Sequence, residues 1–193
     1  MRQADWAREI ARTLLQTPLP RRWAHVQGVA RQARSLAPIL DGDADLLESA
    51  AWLHDIGYSP DLAVTGFHPL DGARYLRDEH GAGAVLCGLV AYHSCAVNEA
   101  EERGLVADLA AEFTPASRLL SDALTYCDMT TTPDGQPVEV ESRLSEIQAR
   151  YGVGHLVTRF IQRSSTHLIG AVRAIERVQT RSYVISGALS GDR

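Results

Sequence analysis

Apolar residues recur along most of this chain at i, i+3, i+4 and i+7, the spacing that gathers them on one side of an α-helix. Trp6, Ile10 and Leu14 mark the first stripe and predict a helix over residues 3–16, ended by Pro18 and Pro20. Trp23, Val26, Val29, Ala30, Ala33 and Leu36 predict a second over 22–37, closed by Pro38 and Asp41-Gly42. A third, over 44–55, carries Leu46, Leu47, Ala50 and Ala51 and stops short of Gly57. Residues 57–67 then read as a loop, and His68, at or near the N-cap, with Pro69 at the first helical position starts a helix striped by Leu70, Ala73 and Leu76. Leu86, Leu89 and Val90 mark another over 85–93. Residues 94–115 are polar and acidic and predict one short helix near 103–110 within a mobile flap or rim. Helices over 116–129, 138–151 and 155–181 complete the pattern, with the turn-rich TTTPDGQP at 130–137 between the first two. No strand alternation of any length and no repeat period is present. The expectation is an all-α, single-domain helical bundle: residues 1–20 a helix packed on it, 21–181 the body, and 182–193 a flexible tail.

Composition narrows the partners. A net charge of −5 and a pI near 5.8 leave no basic excess to neutralise a nucleic-acid polymer. All 19 basic residues are Arg, so any anionic ligand must be held by guanidinium, helix N-termini or metal rather than by an ammonium. Cys87, Cys95 and Cys127 lack paired spacing and read as reduced core thiols. Charges at Arg2, Asp5, Arg8, Glu9 and Arg12 break up any signal-peptide core, and no apolar run approaches the ~18 residues of a membrane span. A cytoplasmic protein without a membrane partner is expected; oligomeric state is not encoded in any visible pattern.

The candidate chemistry lies on the apolar faces. His25 sits one turn before Val29, His54 one turn after Ala50, His93 one turn after Leu89 and Asp128 one turn after Leu124. Asp55 and His68 stand at helix ends flanking the same loop. One inward His is ordinarily a core residue bonded to a carbonyl. Six inward imidazoles and carboxylates together need a shared partner, because each is costly to bury alone. A divalent metal answers that need, one or two ions, and His with Asp but without Cys favours Fe, Mn, Co, Ni, Zn or Mg. Asp122, one turn before Tyr126, competes with Asp128 for the last position. His80, His155 and His167 read as structural, and Trp23 and Trp52 as core anchors.

The order His25, His54-Asp55, Asp128 resembles the HD superfamily of metal-dependent phosphohydrolases. RRWAH at 21–25 is similar to its Arg-x-x-His segment, HDIG at 54–57 to its core motif and FHPLDGARYL at 67–76 to its His-Pro-x-x-Gly-Ala helix. YHS at 92–94 and YCDMTT at 126–131 are similar to its last His and Asp helices. The resemblance implies a metal site between core helices, held by His25, His54, Asp55 and Asp128, with Asp55 bridging to a second ion on His68 and His93. It implies hydrolysis of a phosphate ester or anhydride in a small, nucleotide-like molecule by a metal-activated hydroxide, His54 and Asp55 being its catalytic residues. Arg22 and Arg74 are the expected substrate clamps. The pattern is most similar to the diadenosine-polyphosphate hydrolase type and more loosely to the cyclic-dinucleotide phosphodiesterases. Tyr58 stands where many relatives have Lys, and Ser94-Cys95-Ala96 where the cyclic-dinucleotide branch has Gly-Tyr-Pro. Two other functions fit the same ligands: a nucleotide- and metal-binding regulatory module without turnover, and a di-iron oxygenase.

Overall fold

The computed structural model describes the backbone of residues 2–190 and the side chains of residues 2–182. Its helices are α1 (Gln3–Leu15), α2 (Pro20–Ser35), α3 (Ala44–Leu53), α4 (His68–His80), α5 (Ala84–Tyr92), α6 (Ala96–Arg103), α7 (Val106–Glu112), α8 (Arg118–Met129), α9 (Val140–Tyr151) and α10 (Leu156–Ser190). Among the described residues there is no β-strand; a single bridge pairs Thr131 with Pro137. The all-α expectation holds.

The fold is built by stripes meeting. α3 packs against α1, α2, α5 and α8, and α4 lies along α5. The shared core includes Val26, Val29, Leu47, Leu53, Leu89 and Leu124. Phe67, just before α4, is fully buried in it, a burial that contributes roughly 1.5–3 kcal/mol. A second apolar cluster of Val140, Leu144, Ile147, Phe160 and Leu168 joins α9 and α10 to Met129 at the end of α8. Trp23 and Trp52 stack at 5.4 Å, as the anchor reading expects.

Several boundaries differ from the pattern reading, each for a local reason. Pro20 opens α2 rather than ending α1, since the fixed φ of proline suits a first turn whose N–H is free anyway. Phe67, not His68, is the N-cap of α4, so His68 is its first helical residue. Residues 94–115 are two packed helices, α6 and α7, not one short helix in a flap. Ala96, Ala100, Leu109 and Phe113 are buried there. Their stripe is mostly alanine and is masked by the charges on the outer faces. α10 runs past Arg181 to Ser190, and residues 191–193 of the expected tail lie outside the described residues.

Two glycines set the approach of elements around the site. A Cβ at Gly28 would lie 2.6 Å from the Gly135 carbonyl, so α2 can seat the 130–137 turn only with glycine there. A Cβ at Gly57 would lie 2.1 Å from the His68 carbonyl, so the HDIG glycine lets the chain leaving α3 press directly onto the start of α4.

Candidate metal centre

The six candidate ligands are delivered by the ends or inner faces of five helices, His54 and Asp55 both from the end of α3. α3 runs out at His54, whose N–H still bonds the Ala50 carbonyl at 2.8 Å; Asp55 then leaves helical geometry and turns inward. His68 starts α4, His93 follows the end of α5, and His25 and Asp128 come from the buried faces of α2 and α8. After His93 the chain bends through two consecutive left-handed residues, Ser94 (φ 47°) and Cys95 (φ 62°). That backbone is unusual for residues with a Cβ. It turns Ser94 Oγ to donate to Asp128 Oδ2 at 2.6 Å.

The structure gathers all six into two adjoining triads, His25–His54–Asp128 and Asp55–His68–His93. All are buried. The Nδ1–H of His25 donates to the Thr132 carbonyl at 3.0 Å, that of His54 to Ala51 at 2.9 Å and that of His93 to Val90 at 2.7 Å. A carbonyl only accepts, so these contacts place a proton on each Nδ1 and turn each Nε2 into the site, where that of His25 faces Asp128 Oδ1 at 3.1 Å. His68 Nε2 and His93 Nε2 face each other at 3.2 Å. Asp55 spans the triads: Oδ2 lies 3.8 Å from His25 Nε2 and 3.4 Å from His54 Nε2, while Oδ1 lies 3.4 Å from His68 Nε2.

The electrostatics agree with that geometry. Burial pushes the Asp55 carboxyl up, but Arg22 and the neighbouring imidazoles outweigh it and hold it well below the usual range. Burial likewise opposes ionisation of Asp128, and the His25 hydrogen bond with the nearby His54 overcomes it. Burial pushes His68 and His93 down, so both imidazoles stay neutral at pH 7. The result is two ionised carboxylates beside the neutral imidazoles of His68 and His93, with the His25 and His54 Nε2 atoms also facing inward. This is the donor set of a hard or borderline divalent ion. His54 Nε2 is buried with no hydrogen-bond partner among the described residues, a costly arrangement for a polar atom unless it coordinates. The residues fit one or two divalent metals.

A cleft of about 580 Å³, counted out to its open mouth, reaches this cluster. Arg22 lines it, with NH1 donating to Asp55 Oδ2 at 2.7 Å. Tyr58 gives the non-Lys position after HDIG a physical place: its ring stacks on His68 at 3.9 Å and carries the Arg22 guanidinium 4.0 Å from its centroid. Arg74 is placed elsewhere. It grips Glu112 of α7 through Nε at 3.0 Å and does not line the cleft, which corrects the expectation that it faces a substrate. Asp122 pairs with Arg118 at 3.4 Å, outside both triads, and Asp128 takes the contested position. Pattern reading passed over Ser94 as a partner of Asp128, and also Arg143 and Arg150 of α9, which line the cleft. A signal for Arg143 was present: it falls on the apolar stripe of Val140, Leu144 and Ile147, where a charge is out of place.

A family model described as HD domain matches residues 22–123, slightly more than half of the chain. The match takes in His25, His54, Asp55, His68 and His93 and ends before Asp128, α9 and α10. No curated protein and no solved structure matches the chain.

Proposed function

Because the chain belongs to the HD domain family, we propose that it is a metal-dependent phosphohydrolase that cleaves a phosphate ester or anhydride of a small, nucleotide-like substrate. The observation that carries this reading is Asp55, whose two oxygens are turned to two different triads, as a carboxylate shared by two ions must be. His25, His54 and Asp128, with Asp55, would hold one ion; Asp55, His68 and His93 would hold the other. When bound, such a pair supplies Lewis acidity toward phosphoryl oxygens and acidifies water, which removes the need for a side-chain nucleophile.

The chain's own residues do the rest. The carbonyls of Thr132, Ala51 and Val90 fix the tautomers of three ligands, and Ser94 fixes the second oxygen of Asp128. Arg22 brings a permanent positive charge to the phosphoryl end of the cleft. Met129, Ile147, Phe160 and Ile161 line the cleft with apolar surface suited to the face of a base. Such a surface also keeps bulk water from weakening the charge interactions.

Two measurements test this. The purified protein should carry about two divalent ions per chain, and it should release phosphate or mononucleotide from a nucleotide panel in the presence of Mn, Co or Fe. Turnover that survives complete metal removal sinks the reading, and metal-dependent binding with every nucleotide recovered intact replaces it with a binding module. A narrower prediction concerns Ser94. Ser94→Ala leaves Asp128 held by His25 alone, and metal affinity should fall by ~10–100-fold in a competitive chelator titration. An unchanged affinity would mean that Ser94 plays no part in orienting the carboxylate.

A further inference from the structure

The wall of the cleft contributed by α9 and α10 lies beyond the family-matched residues, and it holds an unusual cation. Arg143 is only 4% exposed, within the apolar cluster that joins these helices. Its NH1 donates to Glu146 Oε2 at 2.5 Å, while its Nε is buried with no partner among the described residues. An unmet donor on a buried guanidinium is costly. Glu146 does not offset it fully, being half-exposed and shared with Arg150, whose Nε lies 3.4 Å from Oε1. Arg150, two turns after Arg143, rests its guanidinium over the Tyr151 ring, 5.0 Å from the centroid. Arg143, Arg150 and Arg22 line both the metal cleft and a neighbouring cleft walled by Pro18, Leu19, Pro20 and Pro133. Three guanidinium groups therefore stand where two clefts meet, Arg22 on Asp55 and the other two on Glu146.

We propose that Arg143 and Arg150 form a second anion subsite, so that the preferred substrate carries a further phosphoryl group beyond the one attacked at the metal pair. The inference rests on the phosphohydrolase reading for the scissile end only. A phosphoryl group suits the site better than a carboxylate. Two guanidinium forks sharing one half-exposed glutamate leave more donors and more charge than a single carboxylate satisfies. Glu146 tethers the two forks in the free protein through Arg143 NH1 and Arg150 Nε and leaves Arg143 Nε for the ligand. In a chain without lysine the positive charge that α9 can offer an anion is guanidinium.

The test compares a nucleoside diphosphate with its monophosphate on metal-loaded protein. Arg150→Gln and Arg143→Lys should each lower the diphosphate-over-monophosphate preference in kcat/KM by ~tenfold, the loss of one charge-assisted hydrogen bond. A structural role for α9 would lower both activities together and leave the ratio alone, and an unchanged ratio overturns the proposal. Arg150 is exposed, so Arg150→Gln decides the matter if Arg143→Lys fails to fold. Calorimetry with inorganic pyrophosphate and phosphate separates this inference from the one beneath it. If wild-type protein hydrolyses neither nucleotide, the phosphohydrolase reading fails. The subsite still stands if pyrophosphate binds ~tenfold tighter than phosphate and Arg150→Gln removes the difference. Equal binding of the two anions overturns it.

Discussion

Asp55→Asn protein should retain its fold, lose at least half of its bound metal and hydrolyse its substrates on the order of 10³-fold more slowly, since a metal centre supplies several kcal/mol of transition-state stabilisation. The substitution keeps the shape of the side chain and its hydrogen bond from Arg22 but removes the charge. Asp128 cannot replace that charge, because of the two carboxylates only Asp55 lies within 4 Å of candidate ligand nitrogens from both triads: His25, His54 and His68. Its carboxyl is held well below the ordinary range by Arg22 and the imidazoles, so it is an anion at neutral pH. An amide offers one acceptor oxygen and no charge, and therefore serves at most one ion. Metal content by mass spectrometry and kcat/KM on the same preparations check the prediction. Full metal occupancy with full turnover would remove Asp55 from the centre of the scheme.

Gly57→Ala should destabilise the protein by about 3 kcal/mol or more, at the upper end of the overpacking range. The added methyl would meet the His68 carbonyl at 2.1 Å, the Gly72 nitrogen at 2.7 Å and the His68 carbonyl carbon at 2.9 Å. All three are backbone atoms, so no side chain can swing aside. The segment after α3 and the start of α4 must separate, and the 3.4 Å approach of His68 Nε2 to Asp55 Oδ1 separates with them. The variant should thus lose metal affinity as well as stability. Gly42→Ala is the control: a Cβ there meets nothing within 4 Å, and its effect should stay within about ±0.5 kcal/mol. Urea unfolding of both variants, with and without chelator, measures the difference. Equal midpoints for the two would show that the close approach at Gly57 is not rigid.

The candidate ligands were legible because a helix face is a local property. His25, His54, His93 and Asp128 each lie one turn from an apolar residue, and that spacing alone turns them toward the core. Arg74 shows where such reasoning stops. It follows His68 on the same helix, but its direction was settled by Glu112, a residue on α7 that no local pattern connects to it. Arg77 joins the same carboxylate at 2.8 Å, so this part of α4 serves the contact with α7. Residues 94–115 show the opposite error. A stripe of small residues, Ala96 and Ala100, carries little hydrophobic signal yet buries completely once α5 and α10 lie beside it.

What the sequence determined by itself was the set of helices outside residues 94–115, their inward faces and the six side chains placed on or beside those faces, since periodicity fixes the azimuth of every residue around its own helix axis. Its HDIG glycine also specified a tight exit from α3. The tertiary structure decided which ligand joins which triad, that Asp55 divides its oxygens between them, and that Ser94 bends back to Asp128. It also decided that Arg143 and Arg150 border the cleft while Arg74 does not. Those are distances between helices, and they depend on how side-chain volumes pack and how closely two backbones approach. A chain's local pattern states which way a residue points; only the packed molecule sets what it meets there.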